Sequence, residues 1–109
     1  MLTGKKFLAF VGADYEDLEL WYPKLRLIEA GGTFVTAGQQ AGTKYVGKNG
    51  YPCDSDIAID GIDTSSYDGL ICGGGWMPDK LRRDPEVLRI TREFAAAGKL
   101  VAAICHGGW

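Results

Sequence analysis

The sequence predicts a single α/β domain organised around a mostly parallel sheet. Three observations carry that prediction. Apolar runs short enough for buried strands recur along the chain, from Lys6 to Val11, Thr33 to Ala37, Leu70 to Cys72 and Val101 to Ile104. Helical periodicity fills the segment between the first two runs and the segment between the last two, the pattern of β-α-β units whose strands lie parallel with right-handed crossovers. The turns Gly12 to Glu16, Gly73 to Met77 and Cys105 to Gly108 each follow a strand. In an open parallel sheet they gather on one edge, beyond the carboxyl ends of the strands, where ligands bind.

Taken in order, Lys6 to Val11 reads as a buried strand that Gly12-Ala13-Asp14 turns into a helix with an apolar stripe of Leu18, Trp21, Tyr22, Leu25 and Ile28. Gly31-Gly32 ends this helix, and Pro23 inside it is expected to kink it or split it in two. Thr33 to Ala37 is the second strand. Asn49-Gly50, flanked by Tyr45-Val46 and Tyr51, signals a tight hairpin attached to the sheet. Leu70-Ile71-Cys72 is a buried strand leading into three glycines. Asp84-Pro85-Glu86 then opens a helix, with aspartate as N-cap and proline in the first turn. Val87, Ile90, Thr91 and Phe94 line one face of it, Gly98 ends it, and the last strand delivers Cys105.

Length and charge narrow the function. The 109 residues suffice for one core and one domain. Twelve basic residues balance 14 acidic ones without a polybasic run, so a small-molecule or peptide ligand is expected, and neither nucleic acid nor membrane. The N-terminal apolar run is too short for a secretion signal, and no stretch would span a bilayer, so a cytoplasmic location is expected. Cys53, Cys72 and Cys105 are an odd set without metal-ligand spacing. They fit free thiols in a reducing compartment, and no metal or cofactor is expected.

Cys105 is the candidate nucleophile. A strand that ends abruptly on cysteine, with Ala103 and Gly107 two positions to either side, suits a strained strand-to-helix elbow. Amides opening a following helix would favour the thiolate. The alternative for any free cysteine is a buried small hydrophobe, the reading given to Cys53 and Cys72. His106 is the only histidine and so the sole imidazole base available, or else a surface residue. Glu16 stands where a carboxyl group could face the thiol, although Asp14, Glu16 and Asp17 would equally serve a helix dipole. Gly74 or Gly75, with the amide of His106, could form an oxyanion hole, or the glycines could be a plain turn. Asp79 most simply caps a short helix, Arg82 and Arg83 form a solvated face, and Trp21 and Tyr22 belong to the core or a subunit contact.

Gly12-Ala13-Asp14-Tyr15-Glu16-Asp17-Leu18-Glu19-Leu20, Tyr22-Pro23, Gly47-Lys48-Asn49-Gly50-Tyr51, Tyr67-Asp68, Pro78-Asp79-Lys80-Leu81-Arg82-Arg83 and Ala103-Ile104-Cys105-His106-Gly107 resemble successive signatures of the PfpI/ThiJ superfamily. These are intracellular protease-like and amidase-like proteins, related to the parkinsonism-associated deglycase and to class I glutamine amidotransferases. The resemblance implies a flavodoxin-like three-layer α/β sandwich with Cys105 as nucleophile at its elbow and Glu16 as the carboxyl group hydrogen-bonded to the thiol. It further implies His106 as base and an acidic residue from a neighbouring subunit, matching Asp79, as third member, hence a homo-oligomer. The implied chemistry is peptide or amide hydrolysis, glyoxalase or deglycase action, and stress protection.

Two departures stand out. Gly73-Gly74-Gly75 replaces the usual Pro-Gly-Gly, which loosens the turn before the oxyanion donor. Family domains continue past the elbow, so the chain resembles the N-terminal part of a domain and is expected to have little activity by itself. The expected function is a cysteine-dependent hydrolase acting on a small amide, peptide or reactive carbonyl. A redox sensor oxidised at Cys105 and an inactive fragment are the alternatives.

Overall fold

An apolar strand flanked on both sides by other strands loses both faces to the interior, and Lys6–Phe10 is such a strand. In the computed structural model, which describes residues 2–74, 77, 81 and 84–103, these residues form β1, and Phe7, Leu8, Ala9 and Phe10 are all buried. The elements that follow are α1 (Asp17–Glu29), β2 (Thr33–Gly38), β3 (Lys44–Val46), β4 (Pro52–Asp54) and β5 (Ile57–Ala58). A 3-10 turn at Thr64–Ser66, β6 (Gly69–Cys72), α2 (Pro85–Ala96) and β7 (Leu100–Ala103) complete the described chain.

The main sheet runs β5-β2-β1-β6-β7, and every neighbouring pair in it is parallel. Apart from the short β5, the order is that of flavodoxin-like doubly wound sheets, in which the chain leaves the first strand to one side and later returns on the other. Register is pinned by size. Phe7 lies opposite Phe34 on β2 and opposite Gly69 on β6, and a Cβ at Gly69 would come within 2.9 Å of the Phe7 ring. α2 packs on β6 and β7 through Val87, Ile90 and Phe94, all buried. Its expected cap is in place, with the Asp84 side chain accepting from Glu86 N at 2.9 Å. Gly31 and Gly98 follow the two helices with φ of 97° and 70°, the left-handed conformation that glycine adopts without steric cost.

Three expectations are corrected. Of the two outcomes expected at Pro23, a kink or a split, the split does not occur, since α1 runs unbroken from Asp17 to Glu29; a missing N–H costs one hydrogen bond, and packing along the rest of the helix carries it through. The stripe of Leu18, Tyr22, Leu25 and Ile28 points outward, with Leu18 73% exposed and Tyr22 69% exposed. Leu20, at 3% exposure, and Leu27 face the core instead, with Trp21 packed at its margin. The helix carries two apolar faces, and the one that is buried also carries Asp17, described below. The hairpin, finally, is not attached to the main sheet: β3 and β4 form a two-stranded antiparallel sheet of their own. Residues 47–51 make its loop, with Gly50 N donating to Gly47 O at 2.9 Å.

The orientation of α1 is open to direct test by chemical denaturation. Leu20→Ala is expected to cost about 2–5 kcal/mol, as for other buried leucines. Leu18→Ala should stay within about 0.5 kcal/mol. Equal losses at the two positions would mean that the outward stripe is buried.

Candidate active site

β1 has β2 on one side and β6 on the other, so the crevice between β1 and β6 is the point at which strand order reverses. Two loops meet there. The Glu16 amide at the end of the β1–α1 loop donates to the Gly74 carbonyl at 3.1 Å, bridging to the glycine loop after β6. β7 extends the same edge, since Ala103, its last residue, lies opposite Cys72. The β1–α1 loop is bent sharply at Asp14, whose φ of 63° is uncommon for a residue with a side chain. Its amide is held by the Val46 carbonyl at 3.0 Å.

The hairpin loop covers this turn, and Asp17 is its anchor. The carboxylate is 6% exposed. Oδ1 accepts from Asn49 N at 2.9 Å and Oδ2 from Tyr51 N at 2.8 Å. Burial by itself would push this carboxyl up, but the hydrogen bonds donated to it outweigh that and hold it below the usual range. Gly47 is a glycine for want of room, because a Cβ there would overlap the Asp17 carboxylate. Around this anchor Lys48 N donates to Tyr15 O at 2.9 Å. The Tyr15 hydroxyl donates to Tyr51 O at 2.6 Å and accepts from Trp21 Nε1 at 3.2 Å. Burial raises the Tyr15 phenol to about 12, so it is a neutral donor here and not a base. Trp21 and Tyr51 meet edge to face at 5.2 Å.

Glu16 occupies the N-cap position of α1 without capping it. Its Oε2 is 3.0 Å from Lys48 Nζ, and its Oε1 accepts from Asn49 Nδ2 at 3.2 Å. Both oxygens are therefore engaged by the hairpin. One turn further on, Glu19 presents the opposite case. Its Oε1 is buried and has no hydrogen-bond partner among the described residues, and the Glu19 backbone lies 3.6 Å from where a Gly73 Cβ would stand. Buried carboxyl oxygens are rarely left unmatched, and exceptions cluster at functional positions. Glu19 was missed in the sequence, although its spacing of three residues from Glu16 places the two on neighbouring positions of one helix face.

Of the expected site residues, the structure brings Glu16 and Gly74 together through the backbone bond already given. Gly75, Asp79, Cys105 and His106 lie outside the described residues, as do Arg82 and Arg83. The other two thiols are poor nucleophiles. Burial raises Cys53, which is almost inaccessible, and pushes Cys72 up to about 11. Beside the β1–α1 loop, Gly12, Ala13, Gln39, Tyr45, Met77 and Leu81 line a cavity of about 120 Å³, room for a small apolar group.

Known proteins share this fold. The DJ-1/PfpI family model matches residues 5–109. Deglycase TK1284 of Thermococcus kodakarensis is 39% identical over 102 residues, which are 94% of this chain and 61% of that protein. YraA of Bacillus subtilis, named provisionally as a cysteine protease, is 37% identical over 103 residues, again 94% of this chain and 61% of the relative. The chain thus spans about three fifths of the length of these curated relatives. Among solved structures, a two-domain protein from Anabaena variabilis with DJ-1/ThiJ/PfpI-like and ferritin-like domains superposes with a TM-score of 0.91 at 36% identity. That match covers 94% of this chain and 30% of the other. The chain belongs to the DJ-1/PfpI family.

Proposed function

We propose that the protein serves a cysteine-dependent hydrolase or deglycase activity on a small amide, peptide or reactive carbonyl, with Cys105 as nucleophile. The observation that carries this reading is the convergence at the switch crevice. The β1–α1 turn and the glycine loop are bonded to each other through Glu16 and Gly74, and the carboxyl end of β7 lies alongside Cys72. Relatives named as deglycases and as a cysteine protease agree with it. Both other cysteines are disfavoured as thiolates by burial, which leaves Cys105 as the reactive sulfur.

In the proposed sequence the Cys105 thiolate attacks the carbonyl carbon of the substrate. The amides of Gly74 or Gly75 and of His106 receive the developing oxyanion. To form that thiolate His106 first takes the thiol proton, and with an amide or peptide it returns the proton to the departing amine, leaving an acyl-enzyme that water hydrolyses. Asp79 from a second copy orients His106 in a homo-oligomer. The first turn of α1 supplies the carboxyl group that hydrogen-bonds to the thiol. Glu16 is the residue expected from spacing, but its oxygens are taken by Lys48 and Asn49. Glu19 has the open one, and the role is assigned to it here.

Two measurements test this. In a chain extended to full family length, Cys105→Ala should abolish turnover of amide and methylglyoxal substrates while leaving the melting temperature unchanged. Persistent turnover in that variant refutes the nucleophile, and peroxide-driven oxidation of Cys105 without any turnover in the wild type would support a sensor instead. For the carboxyl group, the rate of Cys105 alkylation by iodoacetamide is followed against pH. Glu19→Gln should displace the titration midpoint by roughly half a unit or more, and Glu16→Gln by less. The reverse order would return the role to Glu16.

A further inference from the structure

Asp17 is a buried carboxylate that the chemistry above does not use. An acidic residue in the first turn of a helix gains from the dipole while fully exposed, so nothing about the helix requires this one to be buried. Burial is costly for a charge unless its oxygens are met, and here a backbone amide from the hairpin loop meets each of them. The neighbouring position 47 has been left without a side chain to make room.

We infer that Asp17 is a positioning residue of the active site: by fixing the hairpin loop over the first turn of α1, it holds that turn against the glycine loop. The connections run in one direction. From Asp17 they pass to the amides of Asn49 and Tyr51, from that loop to Glu16 through the Lys48 ammonium and the Asn49 side-chain amide, and from the Glu16 backbone to Gly74. Further bonds, Asp14 to Val46, Lys48 to Tyr15 and Tyr15 to Tyr51, join the loop to the same four residues of the β1–α1 segment. The Lys48–Glu16 pair is too solvent-accessible to hold the loop unaided, since ion pairs of that kind contribute little. The buried anchor therefore decides where the loop sits, and with it the placement of the turn that carries Glu16 and Glu19. The catalytic consequence rests on the cysteine chemistry proposed above; the anchoring itself does not.

The test uses Asp17→Asn and Lys48→Met, singly and together, at a temperature where each is folded by circular dichroism. Amide exchange at Asn49 and Tyr51, the pH profile of Cys105 alkylation, and kcat and KM are measured. Asp17→Asn should speed exchange at the two amides by about tenfold. It should also displace the alkylation midpoint and lower kcat by about fivefold with KM nearly unchanged, as expected when reacting groups are mispositioned. Because Lys48 acts through the same loop, the double variant should be no worse than Asp17→Asn alone. Faster exchange with an unmoved thiol profile and kcat would make Asp17 a purely structural anchor and overturn the inference, as would effects that simply multiply in the double variant. If Asp17→Asn does not fold, Gly47→Ala crowds the same carboxylate from the loop side and is held to the same outcomes. A wild type extended to full family length that turns over none of the substrates refutes the proposed function, while exchange and alkylation still decide the role of Asp17.

Discussion

A carboxylate removed from water is stable only where donors replace the water it loses, and at Asp17 those donors belong to a segment more than thirty residues away in sequence. Much of the local architecture follows from that requirement. The hairpin, which takes no part in the main sheet, is tied to β2 by the Thr36–Asp54 bond and to the β1–α1 turn through its loop. α1 is rotated so that Asp17 and Leu20 point inward, and Leu18 and Tyr22 are left facing outward. Tyr15 and Trp21 fill the space beneath the loop and satisfy each other's polar atoms with Tyr51. The face of α1 that carries Asp17 is thus the buried one, although hydrophobic patterning alone singles out the other.

The two carboxyl groups at the switch crevice are engaged differently. Glu16 reaches outward to the hairpin, and its backbone reaches across to the glycine loop, so it ties elements together. Glu19 lies one turn further along α1 and keeps a buried oxygen without a partner among the described residues.

The strands were legible because apolar runs bounded by glycine need no long-range information, and β1, β2, β6 and β7 fall within a residue or so of the runs that announce them. The cap at Asp84 was equally local. β5 was not legible: two residues have no periodicity, and Ile57–Ala58 is placed by the neighbouring contacts of Thr36 with Asp54 and Asp56. The face of α1 was misjudged for a related reason, since its two apolar faces differ only in what they meet after folding. Asp17 read as one of several acids suited to a helix dipole, and only its distant partners single it out. Glycine at position 47 was visible in the sequence, but the carboxylate that forbids any larger residue there was not.

Phe7 and Gly69 show how such packing constrains the ways in which the protein can change. The two face each other across adjacent central strands, and the ring of one occupies the volume where the other would carry a Cβ. Neither position is free to vary alone: a side chain added at 69 collides, and a smaller residue at 7 leaves a void between strands that cannot collapse. A route from this pair to an alternative such as a small aliphatic at 7 with alanine at 69 passes through a weakened intermediate whichever step comes first. Mutational neighbours of this sequence are therefore isolated at these two sites, and they should trade volume in concert wherever the fold has diverged.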